Sequence, residues 1–120
     1  MNKTTLELRD RTKVFALRII TLYRTLPKTA EAQVIGRQIL RSGSSVAANY
    51  RAVCRARSKA EFIAKIGVVV EETDETILWL ELLIESHIIT EDRLTPLLTE
   101  ANELMSIFTS SQYTAKYRNK

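Results

Sequence analysis

The chain is poor in the residues that punctuate, cross-link or arm a fold. Three glycines, two prolines, one cysteine, one histidine and one tryptophan are all that its 120 residues contain of those types. So little turn chemistry argues against a many-stranded sandwich or barrel, which needs a turn signal about every 8–12 residues. A single cysteine, Cys54, excludes an internal disulfide framework and fits a reducing compartment, where it reads as a small core filler. The lone His87 removes most metal and catalytic chemistry. A di-iron bundle needs two Glu-x-x-His units, no Cys/His cluster has zinc spacing, and no glycine-rich phosphate loop follows a strand. A Cys54–His87 nucleophilic pair is conceivable, yet a bundle cysteine is usually packing. No apolar run approaches the ~18 residues of a membrane span, and MNKTTLELRDR lacks the apolar core of a secretion signal. A cytoplasmic, non-enzymatic protein with no cofactor, no metal and no membrane partner is expected.

What is present is helical material. Apolar residues make up 45% of the chain and charged residues 27%, in a length that suits one domain. The net charge of +4 conceals an asymmetry: residues 1–60 carry 13 Lys/Arg against 3 Asp/Glu, and residues 61–109 carry 2 against 11. Such halves either pair within the molecule or give it two electrostatic faces.

Hydrophobic spacing predicts four helices. The first, over about 10–26 after a leader at 1–9, carries Val14, Phe15, Leu17, Ile19, Ile20, Leu22, Tyr23 and Leu26, with Asp10 or Thr12 as its N-cap. It stops at Leu26-Pro27, since the residue before proline is pushed out of the α region. The second, 29–57, is capped by Thr29 and buries Ala32, Ile35, Ile39, Gly43, Val46, Tyr50 and Val53. Each glycine inside it costs roughly 1 kcal/mol relative to alanine, so Gly36 and Gly43 are expected to admit a neighbouring backbone. Ser58-Lys59-Ala60-Glu61 has the pattern of a capping box and opens the third, 58–87, whose stripe runs from Phe62 and Ile63 through Ile66, Val69, Val70, Thr73, Ile77, Leu80 and Ile84 to His87. The fourth, 91–109, presents Leu97, Leu98, Ala101, Leu104, Met105 and Phe108, with an irregular first turn around Pro96. Residues 110–120 read as a short basic tail, frayed by composition. Short links make this an all-α, antiparallel up-down-up-down four-helix bundle.

Two surfaces stand out. At about 100° per residue, Arg37, Arg41, Arg51 and Arg55 share an arc of about 80° opposite the core stripe of the second helix. Ser44 and Ala48 between them leave it unobstructed. A guanidinium fork suits phosphate, and Arg57, Lys59, Lys65, Lys116, Arg118 and Lys120 extend such a surface; solvation or pairing with the acidic helix is the competing reading. Tyr113 and Tyr117, interleaved with tail cations, have the chemistry to stack on bases. On the third helix, Trp79 projects away from the core stripe with Val68, Leu82 and Leu83 near it, which predicts a subunit interface. The carboxylates Glu71, Glu72, Asp74, Glu75, Glu81 and Glu85 are expected to pair with arginines of a neighbouring helix or subunit rather than to hold a divalent cation. Val68, Trp79, Leu82, Glu71 and Glu75 are the interface candidates.

Residues 36–85, GRQILRSGSSVAANYRAVCRARSKAEFIAKIGVVVEETDETILWLELLIE, resemble the bacterial four-helix-bundle family named for proteins encoded in 23S rRNA intervening sequences. Gln38-x-x-Arg41-Ser42, Ser45-Val46-x-x-Asn49 and Ser58-x-x-Glu61-Phe62 carry the likeness. Many members follow the asparagine with Ile-Ala-Glu-Gly, whereas Tyr50-Arg51-Ala52-Val53 stands here and replaces an acid with a basic neighbourhood. The resemblance implies a homo-oligomer, typically a pentameric barrel, without enzymatic activity. Related retroelement accessory proteins bind nucleic acid and a reverse transcriptase. Ser42, Ser45 and Asn49 are then expected to hydrogen-bond across helices. The leading expectation is a non-enzymatic oligomeric scaffold whose arginines, with Arg57 and Lys59, bind nucleic acid, structured RNA ahead of DNA, without base readout. The alternative is an adaptor docking an acidic partner protein, such as a subunit of a nucleic-acid enzyme. A helical nuclease is disfavoured, because no Arg-x4-His motif precedes His87.

Overall fold

A computed structural model describes residues 2–118. Four long helices run through them: α1 (Lys3–Thr25), α2 (Ala30–Cys54), α3 (Lys59–Glu85) and α4 (Glu91–Tyr117). Each packs on its sequence neighbour across a short link, so the bundle is antiparallel and measures 50 × 22 × 20 Å. Helices α1 and α4, the first and last of the row, touch only sparsely.

Helix ends follow from capping chemistry. Asn2 Oδ1 accepts from the Thr5 amide at 2.8 Å and starts α1 there. From Lys3 on, the expected leader is therefore helix, and Leu8 on it is buried. Thr12 is no cap; it is fully buried, and its hydroxyl donates to the Arg9 carbonyl. Thr29 caps α2, and Ser58 Oγ accepts from the Glu61 amide at 3.0 Å to open α3. The Glu61 carboxylate reaches back to the Arg57 amide, one residue before the cap. Leu26 takes an extended backbone before Pro27 and ends α1. Pro96 lies in the second turn of α4, where its missing N–H leaves only a near-terminal carbonyl unpaired.

The expected basic tail is corrected in the same way. Helix α4 continues to Tyr117 because Ala115 is buried against the bundle, which holds the last turns in place. Lys120 lies outside the described residues.

The α3–α4 link is closed by His87, expected in the core but exposed, with φ at 62°. Its amide donates to the Ile84 carbonyl at 3.0 Å, and that of Ile88 to Leu83 at 3.1 Å. This is the Schellman arrangement with histidine where glycine is usual, at a cost of roughly 1 kcal/mol.

The core is a continuous stack running through Phe15, Ile19, Ile39, Val46, Ile66, Val69, Leu80, Leu83, Leu104 and Phe108. Tyr50 and Phe108 meet with ring centroids 5.6 Å apart. The thin waist of α2 faces α1, but side chains and not the expected backbone fill it: a Cβ built on Gly43 would lie 2.8 Å from Ile19 Cγ1, and one on Gly36 2.7 Å from Leu26 Cδ1. Because α3 packs on both α2 and α4, its buried arc is wider than one stripe. Leu83, expected on the outer face, is fully buried, as is Thr76. By contrast, Val14 and Leu17 of α1 are each 54% exposed, since no helix covers that flank.

Burial also sets a pH response. Tyr50 is pushed from its ordinary value of 10 up to about 12, chiefly by desolvation. Below pH 10 the phenol is neutral in both folded and unfolded chains, and its full contribution is present. Between about pH 10 and 12 the unfolded chain ionises first, so stability falls, by up to about 2–3 kcal/mol for this group. Urea titrations across that window should show a steeper loss in the native protein than in Tyr50→Phe, which has no phenol to ionise. Parallel losses would remove Tyr50 as the cause.

Candidate nucleic-acid interface

The arginine ridge divides into two chemically different parts. Arg41 is engaged inside the chain: its guanidinium contacts Gln38 Oε1 at 3.3 Å, Glu72 Oε1 at 3.2 Å and the Glu75 carboxylate. Glu75 Oε2 also accepts from the Trp79 indole N–H at 3.1 Å. Gln38, Arg41, Glu72, Glu75 and Trp79 thus form one polar seam between α2 and α3. Arg37, Arg51 and Arg55 are exposed and have no ion-pair partner among the described residues. Arg57 reaches Glu61 at 3.4 Å, yet its side chain is 87% exposed. Such a pair contributes little and is easily exchanged for phosphate.

The seam holds Trp79 less free of the core than one stripe predicts: its indole is partly buried against the core, and its N–H is tied to Glu75 of its own helix. Glu75 is likewise committed to Arg41. Val68 and Leu82 share that flank of α3 and are partly exposed, while Glu71 sits on the outer face. Of the three small polar residues, Ser42 bonds across helices, its Oγ lying 2.8 Å from Thr76 Oγ1 in the buried interface. Asn49 turns back to the Ser45 carbonyl of its own helix at 2.8 Å.

Antiparallel packing decides where the basic residues gather. The N-termini of α1 and α3 and the C-termini of α2 and α4 share one end of the bundle. That end collects Arg9, Arg51, Arg55, Arg57, Lys59, Lys116 and Arg118 against Glu7, Asp10 and Glu61. The opposite end mixes Arg24, Lys28 and Arg93 with Glu31, Glu81, Glu85, Glu91 and Asp92. Between them, the Arg11 fork grips Glu100 at 2.8 and 2.7 Å and Glu103 at 2.9 Å, fastening α1 to α4. The Glu100 bond is the first cause of the raised Arg11 pKa.

Cys54 lies within the basic end. Burial pushes its thiol up, while Arg9, Arg55 and Arg51 oppose the shift, which places cations of two helices around one point. Arg9 was not singled out from the sequence. The Asn2 cap is the signal that would have placed it on a helix. Cys54 and His87 stand at opposite ends of the bundle, so they form no nucleophile–base pair. Among the described residues, no three His, Cys, Asp or Glu side chains converge on a common point.

The fold and its charge distribution define a four-helix bundle with a neutralised flank and a strongly basic end. The chain belongs to the 23S rRNA-intervening sequence protein family, whose model matches residues 4–110. It is similar to a solved protein of unknown function from the S23 ribosomal protein family of Bacteroides thetaiotaomicron. The two share 35% identity over 92% of this chain and 98% of that one, with a TM-score of 0.84. No curated protein matches the chain. None of the helices in the described residues is long and apolar enough to cross a membrane.

Proposed function

We propose that this chain is a non-enzymatic, homo-oligomeric scaffold that holds a nucleic-acid backbone at its basic end. The observation that carries the reading is the meeting of cations from all four helices at one pole, while Arg41 and Arg11 are neutralised along the sides. A pole that concentrates positive charge attracts phosphate through counterion release and reads no bases. Structured RNA and DNA are both acceptable to such a surface. Assembly is supported by apolar surface left uncovered in a single chain: Val14 and Leu17 on α1, with Val68, Leu78 and Leu82 on α3. The family resemblance favours a pentamer.

An adaptor that docks an acidic partner protein uses the same basic pole. One experiment separates the two readings. Native mass by size exclusion with light scattering, with absorbance at 260 and 280 nm, should be recorded at low and high salt. The expected result is an oligomer that carries nucleic acid at low salt and sheds it at high salt. A nucleic-acid-free oligomer at low salt would favour the adaptor, and a monomer would reject the scaffold.

A further inference from the structure

One feature of the basic end is not explained by charge. Tyr113 and Tyr117 lie on the last turns of α4, 55% and 62% exposed, although the same segment buries Ala115. Their ring centroids are 4.8 Å apart and their planes 51° to each other. The Arg118 guanidinium stands 6.0 Å from the Tyr113 centroid. Beside Tyr113 opens a cleft of about 500 Å³ lined by Thr109, Ser110, Tyr113, Thr114 and Arg118.

A tyrosine pair four residues apart stabilises a helix by only about 0.2–0.5 kcal/mol, which does not require leaving both residues more than half exposed. Exposed aromatic rings beside a guanidinium, inside a field that attracts phosphate, have the chemistry of a base-stacking platform. The hydroxyls of Thr109, Ser110 and Thr114 in this open cleft offer donors and acceptors to a base edge or a sugar. Lys59 lines a second cleft with Ser110 and Thr114, so this stretch of α4 adjoins the cations at the start of α3. Both tyrosines lie beyond residues 4–110, where the family model matches.

We infer that Tyr113, Tyr117 and Arg118 form a stacking site for an unpaired nucleobase, so that the basic end prefers single-stranded nucleic acid, or an unpaired end, to a continuous duplex. The inference rests on the nucleic-acid reading above. Stacking needs a base with a free face; a base inside a duplex is already stacked on its neighbours and presents only its edge.

The test is fluorescence anisotropy with a labelled oligothymidylate of about 12 nucleotides, a length within the usual single-strand site range, and with a duplex of the same length. Native protein should bind the single strand more tightly. Tyr113→Ala with Tyr117→Ala should weaken single-strand binding at least about tenfold and leave duplex binding within about twofold. Tyr113→Phe with Tyr117→Phe, which keeps the ring faces, should bind as the native protein does. Equal losses on both probes, or none on either, would overturn the platform and leave the charge reading standing. Failure of native protein to bind either probe would overturn both. If the alanine variant has a smaller native mass, the tyrosines are covered by another copy of the chain, which also overturns the platform.

Discussion

Gly43→Val is expected to destabilise the bundle by about 3 kcal/mol or more, a large part of the roughly 5–15 kcal/mol that holds a domain together. A Cβ at this position already comes within 2.8 Å of Ile19 Cγ1 and 3.0 Å of Cγ2. Ile19 is fully buried and β-branched, so no alternative rotamer removes both methyl-bearing arms from the contact. Valine adds two further carbons to that clash. The gain in helix propensity over glycine offsets well under about 1 kcal/mol of the strain. Urea denaturation should show a lower midpoint with little change in slope. Ile19→Ala opens a cavity where the valine methyls need space, so the double variant should be more stable than the sum of the single losses allows. Strict additivity would show that the waist does not seat α1.

Arg51→Glu with Arg55→Glu is expected to reduce nucleic-acid affinity by about 100-fold at low salt and to flatten its salt dependence by about two units of log–log slope. Both guanidiniums are exposed and have no ion-pair partner among the described residues, so reversing them breaks no ion pair there. Arg41→Glu is the informative comparison. It places a third carboxylate beside Glu72 and Glu75, and should lower stability and shift Trp79 fluorescence while changing affinity less. Anisotropy titrations at several salt concentrations, paired with thermal melts, separate the two effects. Equal affinity losses without a stability change at Arg41 would restore a ridge along the length of α2 in place of a site at its end.

The contrast between Arg41 and Arg51 shows where sequence reasoning stops. Helical spacing places both on one arc of α2, and nothing in the one-dimensional pattern distinguishes them. The distinction arises because Glu72 and Glu75, more than thirty residues away, stand opposite Arg41 across the α2–α3 seam. Trp79 illustrates the same limit. A helical wheel computed for one stripe puts it outside, whereas α3 packs on two partners and draws that flank half inward. The ends of α1 and α4 escape the sequence pattern for a related reason: Asn2 as a cap is a one-residue signal, and the burial of Ala115 depends on a neighbouring helix.

By itself the sequence determined the fold class, the number and order of helices, the Thr29 and Ser58 caps, the break at Leu26-Pro27 and the need for a thin waist at Gly36 and Gly43. These depend on periodicity and capping, which act over a few residues. Only the tertiary structure decided which cations are free, which apolar flanks remain uncovered, and that Arg9, Arg51, Arg55, Lys116 and Arg118 share one end. Charge on separate helices becomes a site only when antiparallel packing brings their ends together, and that juxtaposition is a property of the bundle and not of any one helix.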